Sequence, residues 1–314
     1  MTVGVVGTGT MAPGIAVAFA ATGHPVVLWG RRADGVAAAL ETAAAMARLL
    51  EEEGLAGAAD EVVARIEGAA DLTRLAAADV VVEAVAEDLA TKHEVLAAVE
   101  HAIAPDALLA TNTSGLRVTD IAAPLRHRDR VVALHFWNPA HLMPIVEVAG
   151  GEHAAAGRVA EAADLVRAIG KVPVVLHHEV LGFLGTRMQQ AVVREAIALL
   201  DAGVASAADI DLAVRTSFGV RFPAIGPLES ADISGLDVID AIHAYLLPDL
   251  DRSTAPQRAL TDRVARGDLG VKSGRGFHEW PGDRAAEVIA RRDRELVRRA
   301  RLVAAEGLEG GVAR

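Results

Sequence analysis

None of the 314 residues is cysteine, and only 3% are aromatic. Without thiols there is no disulfide, no sulfur nucleophile and no zinc–thiolate centre. Lysine stands only at Lys92, Lys171 and Lys272, so nearly every cation is an arginine, a bias that goes with the many alanines and reflects composition rather than function. No uninterrupted apolar run reaches the ~18 residues of a membrane span, because Gly, His, Pro or Arg breaks each candidate. The net charge of −11 argues against a nucleic-acid binder, which normally shows a basic face. The first residues, Thr2 to Val6, already read as a strand, which leaves no room for a signal peptide. A cytoplasmic location is the expectation.

What remains, 52% apolar and 23% charged residues, is the make-up of a soluble globular protein long enough for two cores. The first part alternates short β-branched runs with Ala-rich stretches, the pattern of a parallel sheet with crossover helices. Strands are expected at 3–6, 26–29, 80–82, 108–109, 131–136, 145–148 and 172–176. Between the second and third of these, Val36 to Glu67 is expected to form two helices that project from the sheet. Past Leu181 the strand signal stops. Met188 to Asp201 has helical spacing, Ser206 with Asp209 opens another helix, and the Arg-rich stretch from Arg291 to Arg301 reads as an amphipathic terminal helix. The expected architecture is α/β: a Rossmann-type, doubly wound, mostly parallel sheet over residues 1–180, then an all-α domain over residues 181–314.

The run Val3-Gly4-Val5-Val6-Gly7-Thr8-Gly9-Thr10-Met11 is a strand followed by a Gly-rich turn, and Ala12 to Ala16 opens a helix. Gly7 permits the tight turn, Gly9 lets a pyrophosphate approach the backbone, and the amides of Thr10 and Met11 lead into the helix N-terminus. Its place after the first strand of a βαβ series makes this a dinucleotide site. The second strand ends Trp29-Gly30-Arg31-Arg32. An NAD-specific site normally has an acid there for the ribose 2′-hydroxyl. Gly30 removes that acid, and Arg31 and Arg32 offer charge to a 2′-phosphate, so NAD(P) with a preference for NADP(H) is expected. The alternative is a pair of solvated arginines and lax selectivity.

The segment from Val132 to Val148 reads as two apolar strands joined by an Asn138-Pro139 loop. The first delivers His135, and the second delivers Glu147 between Val146 and Val148. A carboxylate inside an apolar strand needs a partner, and His135 is the available one. Such a pair fixes one imidazole tautomer and raises its basicity, as a general base for an alcohol proton requires. Trp137 is either a pocket wall or a packed core residue, and His141 lies in the same loop.

With these pieces the chain resembles the L-3-hydroxyacyl-CoA dehydrogenase family over nearly its whole length. The matching stretches are Gly7–Ala16, Val82-Glu83-Ala84-Val85 with Glu87 and Lys92, Thr111-Asn112-Thr113-Ser114, His135–Glu147, Gly182-Phe183, Gly226-Pro227-Leu228-Glu229 and Lys272-Ser273-Gly274-Arg275-Gly276-Phe277. The resemblance implies a nicotinamide cofactor on the first domain and a helical second domain that covers substrate and forms a homodimer. It implies that His135 exchanges the hydroxyl proton, that Glu147 orients His135, and that Ser114 hydrogen-bonds the reacting oxygen. It places Asn112, Glu87 and Lys92 near the nicotinamide. No metal site is expected, and His177-His178-Glu179 reads as a solvated boundary loop.

Two departures bear on substrate. Thr186 stands where the family usually carries an Asn that meets the substrate or the histidine, and Pro144 stands where the acyl-CoA branch has Lys. The Asn138-Pro139 loop with Pro144 resembles the branches that oxidise free hydroxy acids, lambda-crystallin/L-gulonate, carnitine and pyridoxine-breakdown dehydrogenases among them, whereas Thr186 is the feature that favours a protein without turnover. The first expectation is a 3-hydroxyacyl-CoA-type dehydrogenase. The alternatives are a reductase or dehydrogenase of a free hydroxy or keto acid, and a crystallin-like cofactor-binding protein without turnover.

Overall fold

Short runs of four to six residues, most of them valine-rich and all too short for stable helices, become eight strands. They are β1 (Val3–Val6), β2 (Val26–Trp29), β3 (Ile66–Ala69), β4 (Val80–Glu83), β5 (Leu108–Thr111), β6 (Val131–Phe136), β7 (Ile145–Gly150) and β8 (Val172–Val175). The computed structural model describes residues 1–306. Its sheet runs β3-β2-β1-β4-β5-β6-β7-β8. Every neighbouring pair is parallel except β6 with β7. The order through β6 is that of a doubly wound dinucleotide fold, whose crevice opens beyond the carboxyl ends of β1 and β4.

Helices cover both faces, which is why the central strands are buried throughout. They are α1 (Ala12–Ala20), α2 (Ala33–Glu52), α3 (Ala59–Ala64), α4 (Leu89–Ala102), α5 (Val118–Ala122) and α6 (Ala156–Ala168). On one face α1, α2 and α6 pack with Val3, Val5, Leu28 and Val82; on the other α4 and α5 pack with Val6, Val81 and Leu109. The 36–67 stretch does hold two helices, but α2 does not project. It buries Val36, Ala39, Ala43, Ala47 and Leu50 as a stripe at helical spacing. Nor does the helix run to Glu67: α3 stops at Ala64, and Ile66–Ala69 adds an edge strand beside β2. With Glu and Gly at its centre that strand has no β-branched run, and pairing with β2 alone makes it one.

The chain divides into two compact units, Met1–Arg187 with the described residues from Arg291, and Met188–Ala290. Helix α7 (Gly185–Asp201) begins in the first. The second holds α8 (Ala207–Thr216), α9 (Phe218–Arg221), α10 (Pro227–Ser234), α11 (Leu236–Leu246) and α12 (Arg258–Arg266). Ser206 caps α8 by accepting the Asp209 amide at 3.2 Å. The terminal helix α13 (Arg284–Glu306) is not confined to a second domain. From Arg291 on it belongs with the first unit, because Leu296 and Val297 pack on that unit's core and Arg301 binds the Glu53 carboxylate and carbonyl. No helix among the described residues is long and apolar enough to cross a membrane.

Candidate active site

Antiparallel register between β6 and β7 sets His135 directly opposite Glu147. Cross-strand neighbours on one face lie within side-chain reach, and His135 Nδ1 meets Glu147 Oε2 at 2.8 Å with both side chains buried. Glu147 accepts three further N–H groups: the Trp137 indole at 3.1 Å and the Leu184 and Gly185 amides at 2.9 and 3.0 Å. Burial works to protonate this carboxyl, but the bonds from His135, Gly185, Trp137 and Leu184 outweigh it and hold it below the usual carboxylate range. An ionised Glu147 accepts a hydrogen bond from Nδ1–H, leaving His135 Nε2 with its lone pair free. The imidazole lies between two rings, Phe183 stacked at 5.2 Å and Trp137 tilted at 5.7 Å. Phe183 sits at φ +48°, a conformation uncommon outside glycine and typical of functional sites.

A second cluster stands at the ends of β4 and β5. The Glu83 carboxylate accepts from Lys92 Nζ at 2.9 Å, Thr111 Oγ1 at 2.7 Å and the Val85 amide at 2.7 Å. Glu87 lies 3.3 Å from the same Nζ and accepts from Thr113 Oγ1, the Ser114 and Gly115 amides, and Ser114 Oγ at 3.4 Å. Burial pushes Glu87 up, but Thr113, Lys92 and Ser114 hold it below the usual range. Asn112 Oδ1 accepts the Phe136 amide at 2.7 Å, and its NH₂ group makes no hydrogen bond among the described residues. Ser114 is exposed on this turn. Thr186, in the first turn of α7, makes no side-chain hydrogen bond among the described residues, to His135 or to any other group.

At the end of β1 the backbone is shaped for a phosphate. Gly7 has φ +130°, and a Cβ there would stand 2.5 Å from the Ala84 carbonyl oxygen, so only glycine fits. Above Gly9 there is open space. Met11, the residue before α1, provides no side-chain cap, so among the described residues no cap takes up the amides of the first turn. A dinucleotide pyrophosphate fits this cradle, with Gly7, Gly9, Thr10 and Met11 around it. At the end of β2, Gly30 faces Thr8: a Cβ would overlap Thr8 Cγ2 and stand 3.1 Å from Val36 Cγ2. Thr8 thus fills the space an acid at position 30 would need. Arg32 is engaged by Asp34 through Nε–Oδ1 at 2.9 Å, whereas Arg31 is exposed and makes no hydrogen bond or ion pair among the described residues.

Residues 2–180 match the family model described as 3-hydroxyacyl-CoA dehydrogenase, NAD binding domain, and residues 182–280 match the C-terminal domain of the same family. This chain belongs to the 3-hydroxyacyl-CoA dehydrogenase family. It is an NAD-dependent dehydrogenase acting on a CH–OH group, and the sheet-then-helices architecture is that of the family. Among family members it is 32% identical to the 5-formyl-3-hydroxy-2-methylpyridine 4-carboxylate 5-dehydrogenase of Mesorhizobium japonicum, over 94% of this chain and 96% of that one. To the 3-hydroxyadipyl-CoA dehydrogenase of Escherichia coli it is 36% identical, over 91% of this chain and 60% of the relative. The crystal structure of a 5-formyl-3-hydroxy-2-methylpyridine 4-carboxylic acid 5-dehydrogenase, an NAD⁺-dependent dismutase, superposes with TM-score 0.90 at 29% identity, covering 97% of this chain and 98% of its own. For the (S)-3-hydroxybutyryl-CoA dehydrogenase of Ralstonia eutropha the TM-score is 0.74 at 31% identity, covering 90% of this chain and 99% of that one.

Within this family member the structure joins His135 to Glu147 and groups Ser114 with Glu87 and Lys92. Trp137, read from the sequence as a pocket wall or a packed core residue, is instead a hydrogen-bond donor to Glu147, and two further partners of the pair, the Phe183 ring and the Leu184–Gly185 amides, carry no such signal in the sequence. Trp137 was findable, since two residues beyond His135 an extended chain returns to the same face. The amides were not, because they arrive from a segment distant in sequence. His177 and His178 are exposed, and Glu179 instead binds Arg117 and Thr119. Among the described residues no three His, Cys, Asp or Glu side chains are placed to hold a metal.

Proposed function

We propose that this family member interconverts a hydroxyl and a carbonyl on a small free hydroxy acid, with His135 and Glu147 as its base pair. The observation that carries the reading is the buried 2.8 Å contact between His135 Nδ1 and Glu147 Oε2, which leaves Nε2 free to take a proton. A bound nicotinamide supplies the hydride acceptor. His135 Nε2 withdraws the substrate hydroxyl proton as the hydride departs, and returns it in the reductive direction. Glu147, unable to leave its donors, stabilises the imidazolium without itself taking the proton. Phe183 offers the face of its ring to the same cation. Ser114 Oγ and the Asn112 NH₂ are the neutral donors available to the reacting oxygen and the nicotinamide end, with Glu87 and Lys92 holding the Ser114 turn. Thr186 replaces an amide by one hydroxyl and shapes the substrate contact.

The free-acid choice is supported by the likeness, along nearly all of both chains, to the Mesorhizobium enzyme, whose name carries a pyridine carboxylate and no CoA. Pro144 after the Asn138-Pro139 loop supports it too. A 3-hydroxyacyl-CoA substrate is the second reading, favoured by the 36% identity to the 3-hydroxyadipyl-CoA dehydrogenase. For the cofactor, the reading is a preference for NADP(H), supported by Gly30, by Thr8 filling the acid's place and by the uncommitted Arg31. Homodimer formation through the helical unit is supported by Leu228, Ile233, Leu236 and Tyr245, all more than 60% exposed.

The test is a cofactor absorbance assay with acetoacetyl-CoA and a panel of free keto acids, run with NADH and NADPH in parallel, with light scattering for the dimer. Turnover of a free keto acid above acetoacetyl-CoA, faster with NADPH, is expected. Efficient turnover of acetoacetyl-CoA with NADH alone would overturn both the substrate and the cofactor choice.

A further inference from the structure

We propose that Trp137 is a positioning residue of the base pair, whose indole N–H limits how much Glu147 charge acts on His135, and that glycine stands at position 185 to admit it. The inference rests on the proton-transfer role given above to His135. An ionised carboxylate offers about four lone-pair positions. All are occupied at Glu147: the Leu184 and Gly185 amides sit on Oε1, and His135 Nδ1 and Trp137 Nε1 share Oε2 at 2.8 and 3.1 Å. Charge shared with the indole is charge withheld from the imidazole, so the N–H tempers the base rather than strengthening it.

Gly185 makes the arrangement possible through space, not conformation. Its φ lies outside the left-handed region, so an L residue is allowed there by the backbone. A Cβ would nevertheless overlap Trp137 Cζ2 and stand 3.1 and 3.2 Å from Cη2 and Cε2. The edge of the ring at Cζ2 therefore abuts the start of α7, and its N–H, on the neighbouring edge, reaches the carboxylate that the same helix start holds with two amides. Indole and glycine form one unit.

The other groups around the pair leave the effect readable. β8 places Val174 in register with Glu147, β5 brings Thr111 and Asn112 beside β6, and Phe183 stacks on the imidazole. None of these titrates. Glu87 and Lys92 are bonded to one another and to Thr113, Ser114 and Glu83, and neither hydrogen-bonds His135 or Glu147. His135 is thus the one titratable hydrogen-bond partner of Glu147 among the described residues.

Trp137→Phe keeps an aromatic ring and deletes only the donor, while Gly185→Ala keeps the donor and pushes it away. Two readouts apply to both and to the double variant: the kcat/KM–pH profile, and the NMR titration of His135 in protein labelled with ¹⁵N-histidine, assigned by His135→Gln. Each single variant is expected to move the His135 titration and the acidic limb of the profile upward by about half to one pH unit, and the double variant no further. A titration unmoved in folded Trp137→Phe, or shifts that add in the double variant, overturns the proposal. Should Gly185→Ala fail to fold, Trp137→Phe decides alone. If no substrate is turned over, the catalytic reading falls, while the NMR titration still judges the role of Trp137.

Discussion

Lys92 and Glu83 form an ion pair in which neither side chain has any exposed surface, Nζ lying 2.9 Å from Oε1. It ties the end of β4 to the first turn of α4, and through the 3.3 Å approach of Nζ to Glu87 it braces the turn that carries Ser114. A buried pair of this kind stabilises little over an apolar substitute, yet losing one partner strands the other's charge. Lys92→Met is expected to lower unfolding stability by about 3–5 kcal/mol in urea titrations. A loss under about 1 kcal/mol would show that Glu83 finds another cation or a proton at little expense.

Glu147→Gln keeps size and shape but turns one acceptor oxygen into a donor. Because both oxygens face N–H groups, either orientation of the amide sets donor against donor. The expected result is a fall in kcat of ~10²–10⁴, together with a lower thermal midpoint from the unsatisfied start of α7. Full activity in this variant would remove Glu147 from the mechanism.

His141, in the loop between β6 and β7, resists protonation. Burial comes first among the causes, with Lys171 and Arg292 adding to it against Asp293, and its pKa falls to about 4. The unfolded chain takes up this proton near pH 6.5 while the folded chain withholds it until about 4. Folding is therefore undiminished by this group above pH 6.5 and loses at most about 3 kcal/mol as pH drops through that window. Urea unfolding measured from pH 7 to 4 in wild type and His141→Phe checks this, the variant showing the shallower slope.

Arg31→Ala bears on the cofactor. Removing one charged hydrogen bond to a 2′-phosphate corresponds to ~1.5–3 kcal/mol, so the NADP(H)-to-NAD(H) ratio of kcat/KM is expected to fall roughly tenfold or more. An unchanged ratio would leave the arginine a solvated surface group. Gly30→Asp alone is expected to weaken both cofactors, since its Cβ overlaps Thr8, and Thr8→Gly in the same chain to restore NAD(H) binding.

Much of this protein could be read residue by residue. The alternation of short apolar runs and Ala-rich stretches specified a parallel sheet with crossover helices, the Gly7–Gly9 turn specified a dinucleotide cradle, and Glu147 inside an apolar strand demanded a partner. Those are matters of period, turn geometry and desolvation, all local to a few residues. The edge strand Ile66–Ala69 could not be read so, because its identity comes from β2 and not from its own composition. The return of α13 from Arg291 to the first unit, and the Leu184–Gly185 amides and Trp137 indole on one carboxylate, likewise belong to the fold. They depend on which distant segments meet, and hydrogen-bond saturation of Glu147 exists only once β7, the end of β6 and the start of α7 have been brought together.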